Sequence, residues 1–330
     1  MSHVFKARAR RWSDKPRLPD VAGKLWLAIA VLLPSGVVAA EAEAHTTTKA
    51  SSSRQARADA VRSIPYARLN REARAKVSSV LASTTIYRRL PSQVIDCDPS
   101  LYLFLVEHPD LIVNIWEVLG ISQVALSRTG ENTFQANDGS GTLGQVEYLY
   151  RSHDVHLLYA EGSYEGPIFT SPVRGRCLLV LRTGYRRETS GRFHVSCRLD
   201  AFLQLEHAGV EVLAKTFQPL VGAAADHNFR ETTAFLASLS RAAEGNHPGM
   251  QTMAARLTNV EAKDREQFAA LAEQLAVKSA LQQTAEARAE ASRARRSAIQ
   301  AQQAAGAQEQ ETGQAPGTAA AGRPPTTTRK

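Results

Sequence analysis

The chain lacks most of the residue patterns that announce a reaction. Neither H-E-x-x-H nor C-x-x-C occurs in its 330 residues, and there is no G-x-S-x-G nucleophile elbow. His108, His194, His207 and His227 fall on separate expected elements, whereas zinc takes three or four convergent protein ligands, so no metal site is expected. Lysine is absent between Lys76 and Lys215, which removes the strand lysine a kinase uses against phosphate. The string Gly139-Ser140-Gly141-Thr142-Leu143-Gly144 matches a phosphate-loop pattern but runs into a strand-like segment. A dinucleotide site needs a helix N-terminus there, so these glycines read as a hairpin turn. No cofactor is expected.

Cysteine is scarce as well. Cys177 and Cys197 lie on the two arms of an expected hairpin turning at Glu188-Thr189-Ser190-Gly191. They stand about five residues out of register, beyond the reach of a disulfide unless a bulge shifts the pairing. With Cys97 they read as three buried thiols.

Long apolar runs are also missing. The longest covers residues 25–40 and is broken by Pro34 and Gly36, which is short of the ~20 residues a membrane span needs. It follows a basic leader (Lys6, Arg8, Arg10, Arg11, Lys15, Arg17, Lys24) and precedes Ala40, Ala42 and Ala44 at small-x-small spacing. Residues 1–44 therefore read as a cleaved export signal, with membrane anchoring by 25–40 as the alternative. The expected location is periplasmic, cell-envelope or secreted.

What charge there is sits mostly outside the expected core. Basic residues outnumber acidic ones by 15 to 6 up to residue 83 and by 11 to 8 from residue 246, but the order reverses to 14 against 18 over 84–245. A basic chain points to nucleic acid when the charge lies on the folded module, so no nucleic-acid partner is expected.

The organisation then follows from periodicity. Residues 45–57 are small and polar and read as a linker, and 58–83 read as an N-terminal helix starting near Pro65. A β-rich stretch over 84–94 leads to Asp98-Pro99, a cap and first-turn pair that starts a buried helix at Leu101. His108-Pro109 breaks it, and Asp110 caps a second helix ending at Gly120. Beyond Gly120 the period becomes two, and six strands with short turns leave no room for crossover helices, so the sheet is antiparallel. A helix begins at Gly209, with a kink or break expected at Pro219 and Gly222 and a restart at Asp226. Residues 255–303 form an Ala/Gln/Arg-rich helical tract, and 306–330 read as a disordered tail.

This order resembles the helix-grip fold of START-like lipid-transfer and polyketide-cyclase-like proteins. The residues that carry the likeness are the strand at 87–95, Asp98-Pro99 entering a helix through Leu101, Tyr102 and Phe104, the second helix with its Trp116, and the helix from Gly209. It covers residues 84–245, about half the chain. The resemblance implies an α+β domain with a curved antiparallel sheet of about seven strands around a long C-terminal helix, with helical and disordered flanks. It implies no single activity, because one fold hosts carriers, cyclases and hydrolase-like enzymes.

Three functional expectations stand side by side. The preferred one is an exported protein that holds an apolar or amphipathic small molecule, or a lipid, between sheet and helix. Trp116, Tyr148, Tyr159, Tyr164, Tyr185 and Phe217 are its cavity candidates. The second is a cell-envelope interaction or structural protein that self-associates or docks a protein through 255–303. The third is an enzyme using Asp154, His156 or Asp226 as acid or base in the same cavity; Asp154 and His156, two apart on a strand, would share a face. An open cavity of roughly 300 Å³ or more favours the first, and a packed interior the second.

Overall fold

The computed structural model describes residues 45–165, 172–189, 191–206 and 210–312, without side-chain detail for 45–47, 210–221 and 304–312. The export signal, the side chain of Phe217 and the tail beyond 312 lie outside the described residues.

Local chemistry explains most element boundaries. The Asp98 side chain accepts a hydrogen bond from the Ser100 amide at 2.9 Å and opens helix α3 (Pro99–Glu107). Helix α4 (Pro109–Leu119) ends on Gly120, whose φ of 68° is the left-handed cap that glycine adopts without strain. Asp110 does not cap α4 as expected; His108 holds the cap position, and Asp110 is buried in an ion pair with Arg128. Upstream, α1 (Arg54–Arg62) and α2 (Arg71–Ala82) replace the single helix expected over 58–83, and a strand occupies part of the expected linker. The Asn70 side chain caps α2, accepting from Ala73 N at 2.8 Å.

The strands are β1 (His45–Thr48), β2 (Ile86–Arg89), β3 (Ser92–Asp96), β4 (Ala125–Arg128), β5 (Thr133–Asn137), β6 (Thr142–Arg151), β7 (Val155–Tyr164), β8 (Val173–Arg187) and β9 (Phe193–Glu206). They form one open antiparallel sheet in the order β1-β3-β9-β8-β7-β6-β5-β4, with β2 also paired to β9. The fold is α+β. The strand count exceeds the expected seven because β1 adds to one margin and Leu90-Pro91 divides the first strand into β2 and β3. The marginal strands, β1, β4 and β2, are each only four residues long. The β8–β9 register sets Cys177 opposite Leu203 and Cys197 opposite Thr183, so those two cysteines do not meet, and all three are buried and free.

Gly139 and Gly141, with φ of 66° and 105°, make the β5–β6 turn in the glycine-rich string. Helix α5 (Val210–Gly245) runs unbroken through Pro219 and Gly222, which corrects the expected break and restart. After α6 (His247–Arg256), helix α7 (Ala262–Thr312) is interrupted from it at 257–261 and stays helical through 306–312, where a disordered tail was expected.

Both faces of the sheet are covered, and this was not anticipated. On the inner face Leu158, Leu179, Leu199 and Ala201 share one core with Leu101, Leu105, Ile112, Trp116, Phe229 and Leu236 of α3, α4 and α5. On the outer face Leu157, Tyr159, Leu178, Val180 and Phe202 pack under Ala60, Val77 and Val80 of α1 and α2. The chain divides into two compact units, one up to Val277 and one from Lys278. The second is described as a helical stretch over 278–312 in which Leu281 and Ile299 are 67% and 54% exposed. Among the described residues, no helix is long and apolar enough to cross a membrane.

Candidate ligand cavity and polar cleft

A cavity of about 70 Å³ lies between the inner face of the sheet, the α3–α4 pair and α5. Leu105, Ile112, Trp116, Tyr148, Leu179 and Phe229 are among its walls. It is well below the ~300 Å³ of a typical ligand pocket, so the interior is closer to packed than the preferred expectation required. Native interiors hold few voids larger than a water, however, and this one is lined almost wholly by carbon.

Two of the aromatic candidates, Trp116 and Tyr148, line this cavity. Trp116 is 1% exposed, packs edge-on to Phe235 at 5.8 Å, and its Nε1 finds no hydrogen-bond partner among the described residues. Tyr148 donates its hydroxyl proton to the Val106 carbonyl, and burial pushes its phenol well above the usual range.

The other aromatic candidates are placed differently. Tyr159 is on the outer face of the sheet, beside Val77 and Phe202, and donates to Glu161 at 2.8 Å. Leu157, Leu158, Tyr159 and Ala160 are all buried, so alternation could not tell which face of β7 each one took. Tyr185 packs edge-on against Tyr102 at 6.2 Å and donates to the His153 carbonyl at 2.9 Å, outside the cavity wall. Tyr164 is buried at the end of β7, also away from the cavity wall.

The polar candidates are not brought together. Asp154 is exposed in the β6–β7 turn, accepting from Ser152 at 2.8 Å, so it does not share the buried position of His156. His156 is fully buried, its Nε2 3.9 Å from Glu107 Oε1, with neither ring nitrogen hydrogen-bonded among the described residues. Burial first, and the Arg151 charge second, push this imidazole down to about 4, so it is neutral near pH 7. Asp226 lies within α5 and is taken up by a bidentate pair with Arg88, whose Nε donates at 2.8 Å. Gly222 makes room for that arginine: a Cβ there would stand 2.8 Å from the guanidinium carbon. None of the three lines the cavity.

A second, polar cleft of about 530 Å³ was not expected; it is open to solvent and lined by His108, Arg128, Arg151, Glu261, Lys263 and Asp264 among others, with Glu131 beside them. These residues come from four chain regions, so no local motif joins them. Arg128 pairs with buried Asp110 at 2.9 Å and stands 3.6 Å from buried Asp264. His108 Nε2 is 3.4 Å from the same Asp264. Arg151 sits 4.3 Å from the Tyr148 ring centre, so Tyr148 separates the apolar cavity from the polar cleft.

The fold and these two hollows define an α+β protein with a helix against an antiparallel sheet. No protein-family model matches the chain, and no curated protein matches it. Among solved structures it is similar to a conserved protein from Geobacillus kaustophilus, at 11% identity and a TM-score of 0.34, over 46% of this chain and 93% of that one. A likeness of that size carries no functional argument.

Proposed function

We propose that the domain is a non-catalytic binding protein, exported, that receives the apolar end of an amphipathic small molecule or lipid between sheet and α5. The observation that carries this reading is Trp116, a buried indole N–H without a partner in the wall of an otherwise apolar void. Leaving such a donor unsatisfied costs about 1–3 kcal/mol, and an empty 70 Å³ cavity costs roughly another 1.5–2 kcal/mol. An apolar group carrying one hydrogen-bond acceptor offsets both. The START-like resemblance supports the same reading.

The test is extraction of the purified protein followed by mass spectrometry, with a lipid-binding screen alongside. A co-purifying amphiphile, displaced in a Trp116→Phe variant, is the expected result. No ligand and no measurable affinity would end the proposal. The small cavity favours a second reading, an interaction protein working through residues 278–312, where Leu281 and Ile299 are exposed. Deleting 278–330 and measuring solution mass tests it, and an unchanged mass together with unchanged partner capture counts against it.

A further inference from the structure

The polar cleft has an uneven charge distribution. Asp264 (3% exposed) lines it and shares the Arg128 guanidinium with a second buried carboxylate, Asp110 (1% exposed), which is not part of the lining. Arg128 is committed to Asp110 through Nε at 3.1 Å and Nη2 at 2.9 Å. The Oδ2 of Asp264 stands 3.6 Å from Arg128 Nη2, an ion pair without a hydrogen bond among the described residues, while its Oδ1 faces His108 Nε2 at 3.4 Å. A buried carboxylate oxygen in that state calls for a cationic donor. Nearer the rim Lys263, 75% exposed, pairs with Glu261 at 2.8 Å, and Arg151 holds the Glu131 carbonyl at 2.9 Å. The cleft therefore offers partners of both signs to one ligand, carboxylates at Asp264 and Glu261 and cations at Arg151 and Lys263.

We propose that this cleft binds a zwitterionic head group, its ammonium donating to Asp264 and its phosphate or carboxylate meeting Lys263 and Arg151. Phosphoethanolamine is the simplest probe of that chemistry, free or as the head of a lipid. Tyr148 stands between cleft and cavity, so a chain attached to the head would pass it to reach the apolar void. That second half rests on the binding function proposed above; the head-group site does not.

Titration calorimetry on the full chain with O-phosphoethanolamine tests the site, and saturable binding is expected. Phosphocholine has no N–H to give Asp264, so it is expected to bind at least tenfold more weakly. Asp264→Asn should weaken phosphoethanolamine by a similar factor. Should that variant unfold, exposed Lys263→Gln, which gives up only its surface pair with Glu261 at 2.8 Å, provides the same check from the rim. No binding, equal binding of phosphocholine, or indifference to both substitutions overturns the site, as does equal binding of a neutral polyol such as glycerol. Lysophosphatidylethanolamine below its micelle concentration supplies the second arm. If it binds no tighter than the free head, the cleft stands and the apolar-cavity function fails.

Discussion

Replacing Asp200 with alanine should be the most damaging single change on the outer face of the sheet. Asp200 is fully buried on β9 and accepts from the Tyr87 hydroxyl and Arg89 Nε, each at 2.7 Å, and from Arg182 at 3.2 Å. Its removal leaves Arg89 and Arg182, 13% and 18% exposed, with half-exposed Asp59 as their remaining carboxylate. The loss should therefore fall at the low end of the 3–5 kcal/mol that breaking a buried pair costs, about 3 kcal/mol. Two controls set the scale. Tyr87→Phe removes one of these hydrogen bonds and should cost about 1 kcal/mol. Asp59→Asn on α1 touches Arg89 and Arg182 at 2.7 and 3.0 Å, but its side chain is 36% exposed, so solvent screening limits the loss to about 1 kcal/mol. Urea unfolding followed by circular dichroism gives each value. A loss below about 1 kcal/mol for Asp200→Ala, or an equal loss for Asp59→Asn, would refute the assignment of the network's strength to its buried member.

The remaining predictions concern the interior and its titration. Val113→Ile adds a methylene to the wall of the 70 Å³ cavity and should raise stability by up to about 1 kcal/mol, while a lower melting temperature would show the space to be already filled. His156 is held neutral with its pKa down at about 4 against an ordinary 6.5, so the unfolded chain binds the extra proton first as pH falls. Its contribution is therefore intact above pH 6.5 and lost between 6.5 and about 4, by up to roughly 3 kcal/mol, with Glu107 at 3.9 Å offsetting part. Unfolding profiles of His156→Leu should be flatter than wild type across that window, and equal slopes would remove the buried neutral imidazole from the account. Burial raises all three thiols, that of Cys197 to about 12. A thiol reagent at pH 8 should label none in the native chain and all three after denaturation, and labelling of native protein would contradict their burial.

The parts of the fold legible in the sequence were those governed by local chemistry. Asp98-Pro99, the glycine-rich turn and the Glu188-to-Gly191 hairpin each fix backbone geometry within a few residues, and the cysteine offset followed from that hairpin alone. Tertiary contacts overrode local signals elsewhere. Pro219 and Gly222 look like a break, yet α5 is continuous, and at Gly222 the missing side chain is where Arg88 packs. Helix α1 buries only Ala56 and Ala60, too weak a stripe to announce a packed helix, so the covered outer face and the place of Tyr159 were not legible. Of the candidate site, Trp116 and Tyr148 were readable as aromatic residues at helix and strand positions facing inward. The cleft was not, since Arg128 and Asp264 meet only through the fold.

A sheet that does not close into a barrel leaves a row of unpaired backbone donors and acceptors at each margin, a template for pairing with a second copy. Here the margins are the four-residue strands β1, β2 and β4, and β2 is further covered by a bridge from Ser51 to Arg89. The pairing of β1 is irregular between Thr46 and Thr48, and β4 ends on Arg128, which turns in to Asp110. An incoming strand would find only a few bonds on any of them before the template ran out. This shortness is a safeguard against fibrous stacking, and lengthening one of these strands by design would be the quickest way to lose it.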